Sequence, residues 1–228
     1  MTTIADRRLE EKDRRRGDIL DAAEAEAARH GIDGLTMERV ARRARISRAL
    51  LYVYFRDRSD LQFGLCGRGL DLLAARFEQA VARQRDGLGR ITAIGRAYLA
   101  FSQEFPVYFD ALARFQAQES TPAEATGCAS ACLAAGARVH AIMFEAIEAG
   151  QRDGSIGTQA GTPVAIAMTL WGFMHGIIQL TATKGAVLAG HFKKIVTAEG
   201  ATADDDALTP RAGAALDRLG GHGYDGRH

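Results

Sequence analysis

Cysteine is scarce in this chain: three among 228 residues, an odd number spread unevenly. That excludes a disulfide framework and leads us to expect a reducing, cytoplasmic setting. Aromatic residues are sparse at 7%, and β-branched residues are few beside abundant Ala and Leu. This balance favours an all-α fold over a sheet. Net charge is nearly absent at +1, so any basic partner-binding surface has to be local. The first residues are charged and contain no apolar stretch, so no secretory signal is expected. No internal repeat is visible, and no low-complexity tract beyond a small-residue tail. What is present in quantity is apolar material, 47% of the chain, ample for a core in one large domain or two small ones.

The most informative stretch runs from Thr36 to Leu61. It predicts two short helices three residues apart, each opened by a hydroxyl. Thr36 is placed to cap the first, with Leu35 and Val40 as a hydrophobic staple, and Glu38 lies in the first turn, where negative charge suits the dipole. Ser47 repeats the device with Ile46 and Leu51. The linker Ala44-Arg45-Ile46 is short enough to hold the pair steeply, as in a helix-turn-helix. Between Arg39 and Arg58 stand seven arginines and one acid, Asp57, a local charge of +6. Such a basic helix pair in a neutral protein is a footprint for phosphate.

These residues resemble the DNA-binding region of the TetR family of ligand-responsive bacterial transcriptional regulators. The pattern is carried by Thr36, Val40-Ala41, Ala44, Ser47, Leu51-Tyr52-Val53-Tyr54-Phe55, Arg58 and Leu61, and the likeness covers roughly residues 14 to 65. It implies that the Ser47 to Tyr54 helix enters the major groove of double-stranded DNA. Arg48 is then the base reader, with Ala49 offering a methyl to thymine. Thr36, Ser47, Tyr52, Tyr54 and Arg58 would hold phosphates, and Phe55 would be core. Two positions depart from the family pattern. Arg45 stands where the family usually has Gly, and a left-handed backbone there would cost roughly 1–2 kcal/mol. Ala49 stands where Gly is frequent.

Along the rest of the chain the pattern predicts about nine helices. A flexible charged arm is expected over residues 1–13, a DNA-binding domain over 14–60, a ligand-binding and dimerisation domain over 61–220, and a flexible tail over 221–228. Helix 1 is expected from Arg14 to His30, stopped by Gly31. A long amphipathic helix follows from Asp60 to Arg85, and Gly87-Leu88-Gly89 breaks the chain. Further helices are expected over Arg90–Glu104 and Pro106–Gln118. Ser120–Gly127 reads as a loop, Cys128–Ala149 as a helix closed by Gly150 and Gly154, and Thr209–Leu219 as a helix opened by Pro210.

The run Pro163–Thr183 contains no charge in 21 residues, long enough to span a bilayer. Three threonines, Gln179 and His175 argue instead for a helix buried at a subunit interface, with Gly172 and Gly176 allowing close approach. Its piece Trp171-x-x-x-His175-Gly176 resembles a TetR subset. The resemblance implies a homodimer through residues 163–183 and 209–219, a near-palindromic operator, and no membrane.

Other chemistry is weakly supported. Cys128 and Cys132 lie one helical turn apart, but no CxxC or HxH pair joins them, so no metal is expected. No nucleophile or paired carboxylate accompanies His175, so no catalytic residue is assigned and the chain is not expected to be an enzyme. No cofactor is implied. The aromatics Phe105, Tyr108, Phe109, Phe144 and Trp171 read as core or as the lining of a ligand cavity, with His175 as a polar contact. The expected function is that of a repressor released from DNA by a small, largely apolar ligand.

Overall fold

A computed structural model describes residues 3–116 and 127–198. Among the described residues there are eight α-helices, one 3-10 turn and no strand. They are α1 (Ile4–His30), α2 (Met37–Arg43), α3 (Arg48–Tyr54), α4 (Arg58–Val81), α5 (Gly87–Glu104), α6 (Pro106–Gln116), α7 (Cys128–Asp153), the 3-10 turn Thr158–Ala160 and α8 (Pro163–Ala198). The all-α expectation holds. The predicted Ser120–Gly127 loop (except Gly127), the helix from Thr209 to Leu219 and the tail after it lie outside the described residues.

Several boundaries differ from the sequence reading. Helix α1 begins at Ile4 rather than Arg14, so the charged segment expected as a flexible arm is helical where described. Its start carries a capping box: Asp6 N–H donates to Thr3 Oγ1 and Thr3 N–H to Asp6 Oδ2. Glu11 then pairs with Arg14 and Arg15 at helical spacing, so the charge run supports the helix. Gly31, at φ 71°, stops α1 as expected. Gly87-Leu88-Gly89 opens α5 instead of breaking the chain. The three free N–H groups of its first turn are satisfied by Asp153, Ser155 and Asp86, as a helix start requires. Helix α7 runs past Gly150, which packs against Gly87 and Ile156, to Asp153, with Gly154 at φ 79° directly after it. Helix α8 continues beyond Thr183, with non-helical backbone at Lys184 (φ −128°).

The chain divides into two compact units, Met1–Ala75 with Phe101–Val139, and Arg76–Ala100 with His140–His228. The first unit is centred on fully buried Ile19, Leu35, Val40, Leu51, Phe55, Leu61, Leu65 and Phe101. Helix α1 packs on α2 and α6, and α2 on α3. Close approach to α4 depends on small residues. A Cβ on Gly64 would sit 3.0 Å from both Leu20 and Phe55, and one on Gly69 would sit 2.9 Å from Tyr108.

The second unit buries Phe77, Ile91, Ile94, Tyr98, Met143, Ile147, Met174 and Ile178. The first part of α8 was expected to be buried on nearly every side. In the single chain only 17% of its most apolar window is covered, and Val164, Met168, Phe173 and Leu180 are exposed. By length and composition alone, α8 (over Pro163–Thr181) and α7 would each suit a membrane.

Candidate nucleic-acid interface

Local hydrogen bonds build the helix pair as its sequence dictates. Thr36, in extended backbone, accepts the Arg39 N–H at 3.3 Å, and Leu35 and Val40 are both fully buried as the staple requires. Ser47 accepts the Leu50 N–H at 3.1 Å, with Leu51 buried beneath it and Ile46 half-buried. Between the helices, Ile46 N–H bonds to Ala41 O at 3.0 Å and Arg45 N–H to Arg42 O at 3.2 Å. That pair of bonds is a Schellman motif, whose left-handed residue is usually Gly. Here it is Arg45, at φ 55°, so the strain anticipated for this position is present, roughly 1–2 kcal/mol.

Helix α3 turns Leu51 and the following Phe55 inward and leaves Arg48, Ala49, Leu50, Tyr52 and Val53 outward, Val53 at 72% exposure. Tyr54 is half-buried, and Thr36, Ser47 and Arg58 are exposed. The α4 start is held by Asp60, a buried carboxylate. It accepts the backbone N–H groups of Arg56 and Cys128 and the Arg56 guanidinium. Burial would raise its pKa, but these donors outweigh burial and hold it below 3.8, since they bond the charged form. Under α3, the Arg16 guanidinium lies 5.6 Å from the Phe55 ring centroid.

The seven arginines are not equivalent. Arg43 donates to Glu26 of α1 at 2.5 Å, and this bond lowers the Glu26 pKa although burial opposes it. Arg39 donates to Gly34 O, Arg56 to Asp60, and Arg58 to Asp33 O at 3.0 Å and Ile32 O at 3.4 Å. Arg58, selected from sequence as a phosphate contact, thus braces the loop between α1 and α2. Arg42, Arg45 and Arg48 are exposed, and their side chains make no hydrogen bond or ion pair among the described residues. Arg42 and Arg45 were not among the residues chosen from sequence. Their availability depends on which neighbours the other arginines find, and no local signal carries that.

The six candidate ligand residues divide between the units. In the first, Phe105 packs on Phe101 and Tyr108, and Phe109 is buried. The Tyr108 hydroxyl donates to Glu24, and burial pushes its pKa up to about 12. In the second, Trp171 and His140 meet edge to face at 5.3 Å, Phe144 stacks on His140 at 6.2 Å, and His175 lies 6.2 Å from Trp171. Tyr98, missed from sequence, joins this group with its hydroxyl 2.7 Å from His175 Nδ1. Burial raises Tyr98 to about 12, and a hydrogen bond from Trp171 works against that. Burial lowers the pKa of both His140 and His175, favouring neutral rings. Among the described residues, cavities of about 430 and 310 Å³ open in the first unit. Neither is lined by any of these six residues.

Cys128 Sγ accepts from Arg16 at 2.9 Å, and Cys66 hydrogen-bonds Cys132. Among the described residues no group of three His, Cys, Asp or Glu could hold a metal ion.

Residues 19–63 match the family model for bacterial regulatory proteins of the tetR family, and residues 91–212 match the tetracyclin repressor-like C-terminal domain. The chain belongs to the TetR family. TetR-family proteins are helix-turn-helix transcription regulators that bind DNA and small-molecule ligands. The fold is similar to that of a protein of unknown function from Rhodococcus sp. RHA1, 27% identical over 90% of this chain and 94% of that one, with TM-score 0.67. It is also similar to the transcriptional regulator FadR from Bacillus subtilis in complex with stearoyl-CoA: 12% identity, 74% and 88% coverage, TM-score 0.62. A third likeness is to AibR in complex with isovaleryl coenzyme A and operator DNA, at 18% identity, 72% and 86% coverage and TM-score 0.56. No curated protein matches the chain.

Proposed function

We propose that this TetR-family chain acts as a homodimeric repressor that binds a near-palindromic operator and is released by a small, largely apolar ligand. The observation that carries the reading is the exposed start of α3, where Arg48 stands without an internal partner beside Ala49. A guanidinium so presented can bond guanine in bidentate fashion. Thr36, Ser47, Tyr52 and Tyr54 set the register on phosphates, and Arg58 adds charge while bracing its loop. The exposed apolar face of α8 supports dimerisation, because two-fold pairing of that face would cover it and present two α3 helices one DNA turn apart, about 34–36 Å.

The ring cluster of Tyr98, His140, Phe144, Trp171 and His175 supports an apolar or planar ligand with one polar contact. Two proteins of the same fold were solved with acyl-coenzyme A molecules, so acyl thioesters are the first class to test. A ligand releases DNA only if it binds the DNA-incompetent arrangement more tightly. Helix α4, which begins at the helix-turn-helix, is the element through which we propose that preference acts.

The test is a duplex selected by the purified protein from a random-sequence pool, followed by titration of acyl-CoAs of differing chain length against the complex. We expect a near-palindromic site, with release of the duplex on titration. Arg48→Ala should cost roughly 1–3 kcal/mol at one base position, while Arg58→Ala weakens all sequences alike. Uniform loss in both variants would remove Arg48 from its role. A ligand that tightened binding would reverse the sign of the mechanism.

A further inference from the structure

Five described residues have a clearly positive φ, and four of them are glycines: Gly31, Gly127, Gly154 and Gly161. The fifth is Arg45. Among the described residues, Gly therefore stands wherever this backbone occurs except in the turn of the helix-turn-helix. Beyond the two backbone bonds of the turn, nothing among the described residues offsets the exception. The Arg45 side chain is exposed and makes no hydrogen bond or ion pair among the described residues. Arg42 in the last turn of α2 and Arg48 at the first position of α3 are in the same condition, so three uncompensated guanidiniums recur every third residue across the turn. Glu38, one helical turn before Arg42, forms no pair with it. The other four arginines of the motif are fastened to neighbours. Backbone strain of this kind collects at functional sites, and here it comes with a charge that the fold does not use.

We propose that Arg45, with Arg42 beside it, is a DNA phosphate contact at the edge of the recognition helix, and that the strained turn is retained for that charge. The proposal rests on the DNA reading above and extends it to a contact that base recognition does not require. A phosphate contact carries no sequence information, so its removal weakens binding to any duplex and releases fewer counterions.

The experiment measures affinity against salt for wild type, Arg45→Gly, Arg45→Asn and Arg45→Lys. The probes are a duplex selected by the wild type and a scrambled duplex of equal length. Arg45→Gly should raise Tm by roughly 2–8 °C, because the strain is relieved. It should nonetheless bind both duplexes more weakly, with a log–log salt slope shallower by about 2, one contact being lost from each protomer of the dimer. Between 50 and 200 mM salt its affinity should then fall roughly tenfold less than that of the wild type. Arg45→Asn, which tolerates the same backbone, should share the shallower slope, and Arg45→Lys should keep the wild-type slope. An Arg45→Gly protein that is more stable with its slope and affinity unchanged would overturn the proposal while leaving the DNA reading intact. The same holds if the slope changes equally for the Lys variant. A wild type that bound neither duplex would end the DNA reading, and this proposal with it.

Discussion

In the helix-turn-helix, Leu35, Val40, Leu51 and Phe55 are fully buried and four of seven arginines are fastened to neighbours. Along the first half of α8, by contrast, Val164, Met168, Phe173 and Leu180 stand open, and a Cβ on Gly172 or Gly176 would meet nothing within 4 Å. The first region completes its core within one chain, and what it leaves outward is mixed: the guanidiniums of Arg42, Arg45 and Arg48 beside exposed Leu50, Tyr52 and Val53. The second leaves apolar surface unpartnered. Unpartnered charge suits a polyanion, whereas a contiguous apolar face suits another protein surface. The contrast teaches that the two faces select different classes of partner, and it can be broken from either side.

The largest effect should come from the self-contained region. Phe55→Ala removes a fully buried ring and should cost about 3–5 kcal/mol in urea unfolding. Phe173→Ala, on the open face, should change the stability of a dissociated protomer by less than about 0.5 kcal/mol. Equal losses would erase the distinction.

Next in size are changes aimed at the partner of α8. Phe173→Glu would place like charges together across a two-fold interface and should weaken dimerisation by about a hundredfold or more in sedimentation. Gly176→Leu should act in the same direction. Because its site is open in the protomer, a loss of dimer would not reflect a damaged fold. A Gly176→Leu protein fully dimeric at low concentration would place the contact elsewhere.

A smaller effect sharpens the account of the DNA-binding half. Asp60→Asn keeps the shape but loses the charge that three donors address, and should cost about 1–3 kcal/mol at neutral pH. Since the folded pKa of Asp60 is depressed, its contribution is present above the unfolded value, near 3.8, and is lost as pH falls through the folded one. The urea midpoint of the Asn variant should therefore depend less on pH in the acid range.

The smallest effect belongs to the second unit. His140 and His175 are buried with pKa values lowered from 6.5. Their neutral forms favour the fold above that pH, and stability declines as pH falls below it, because the unfolded chain takes up the protons first. His175→Gln should narrow the Tm difference between pH 7 and pH 5 by at most a few degrees. An unchanged difference would show that the ring bonded to Tyr98 does not titrate in this range.

What the sequence determined by itself is whatever closes within about five residues. The caps at Thr36 and Ser47, the staple of Leu35 on Val40 and the stop at Gly31 were all legible, because each partner lies a few positions away. The uncharged run Pro163–Thr183 was equally legible as a helix. The start of α1 at Ile4 was local too, through Thr3 and Asp6, but the density of charge disguised it. Only the tertiary structure decided which arginines remain available. Arg43 finds Glu26 across 17 residues and Arg58 finds Asp33 across 25, leaving Arg42, Arg45 and Arg48 open. It also decided that Tyr98 joins His175 across 77 residues, and that Gly87 and Gly150 pack together. The physical reason is that hydrogen bonds within a turn of helix follow from residue order and backbone geometry, whereas a partner distant in sequence is chosen by how whole helices pack.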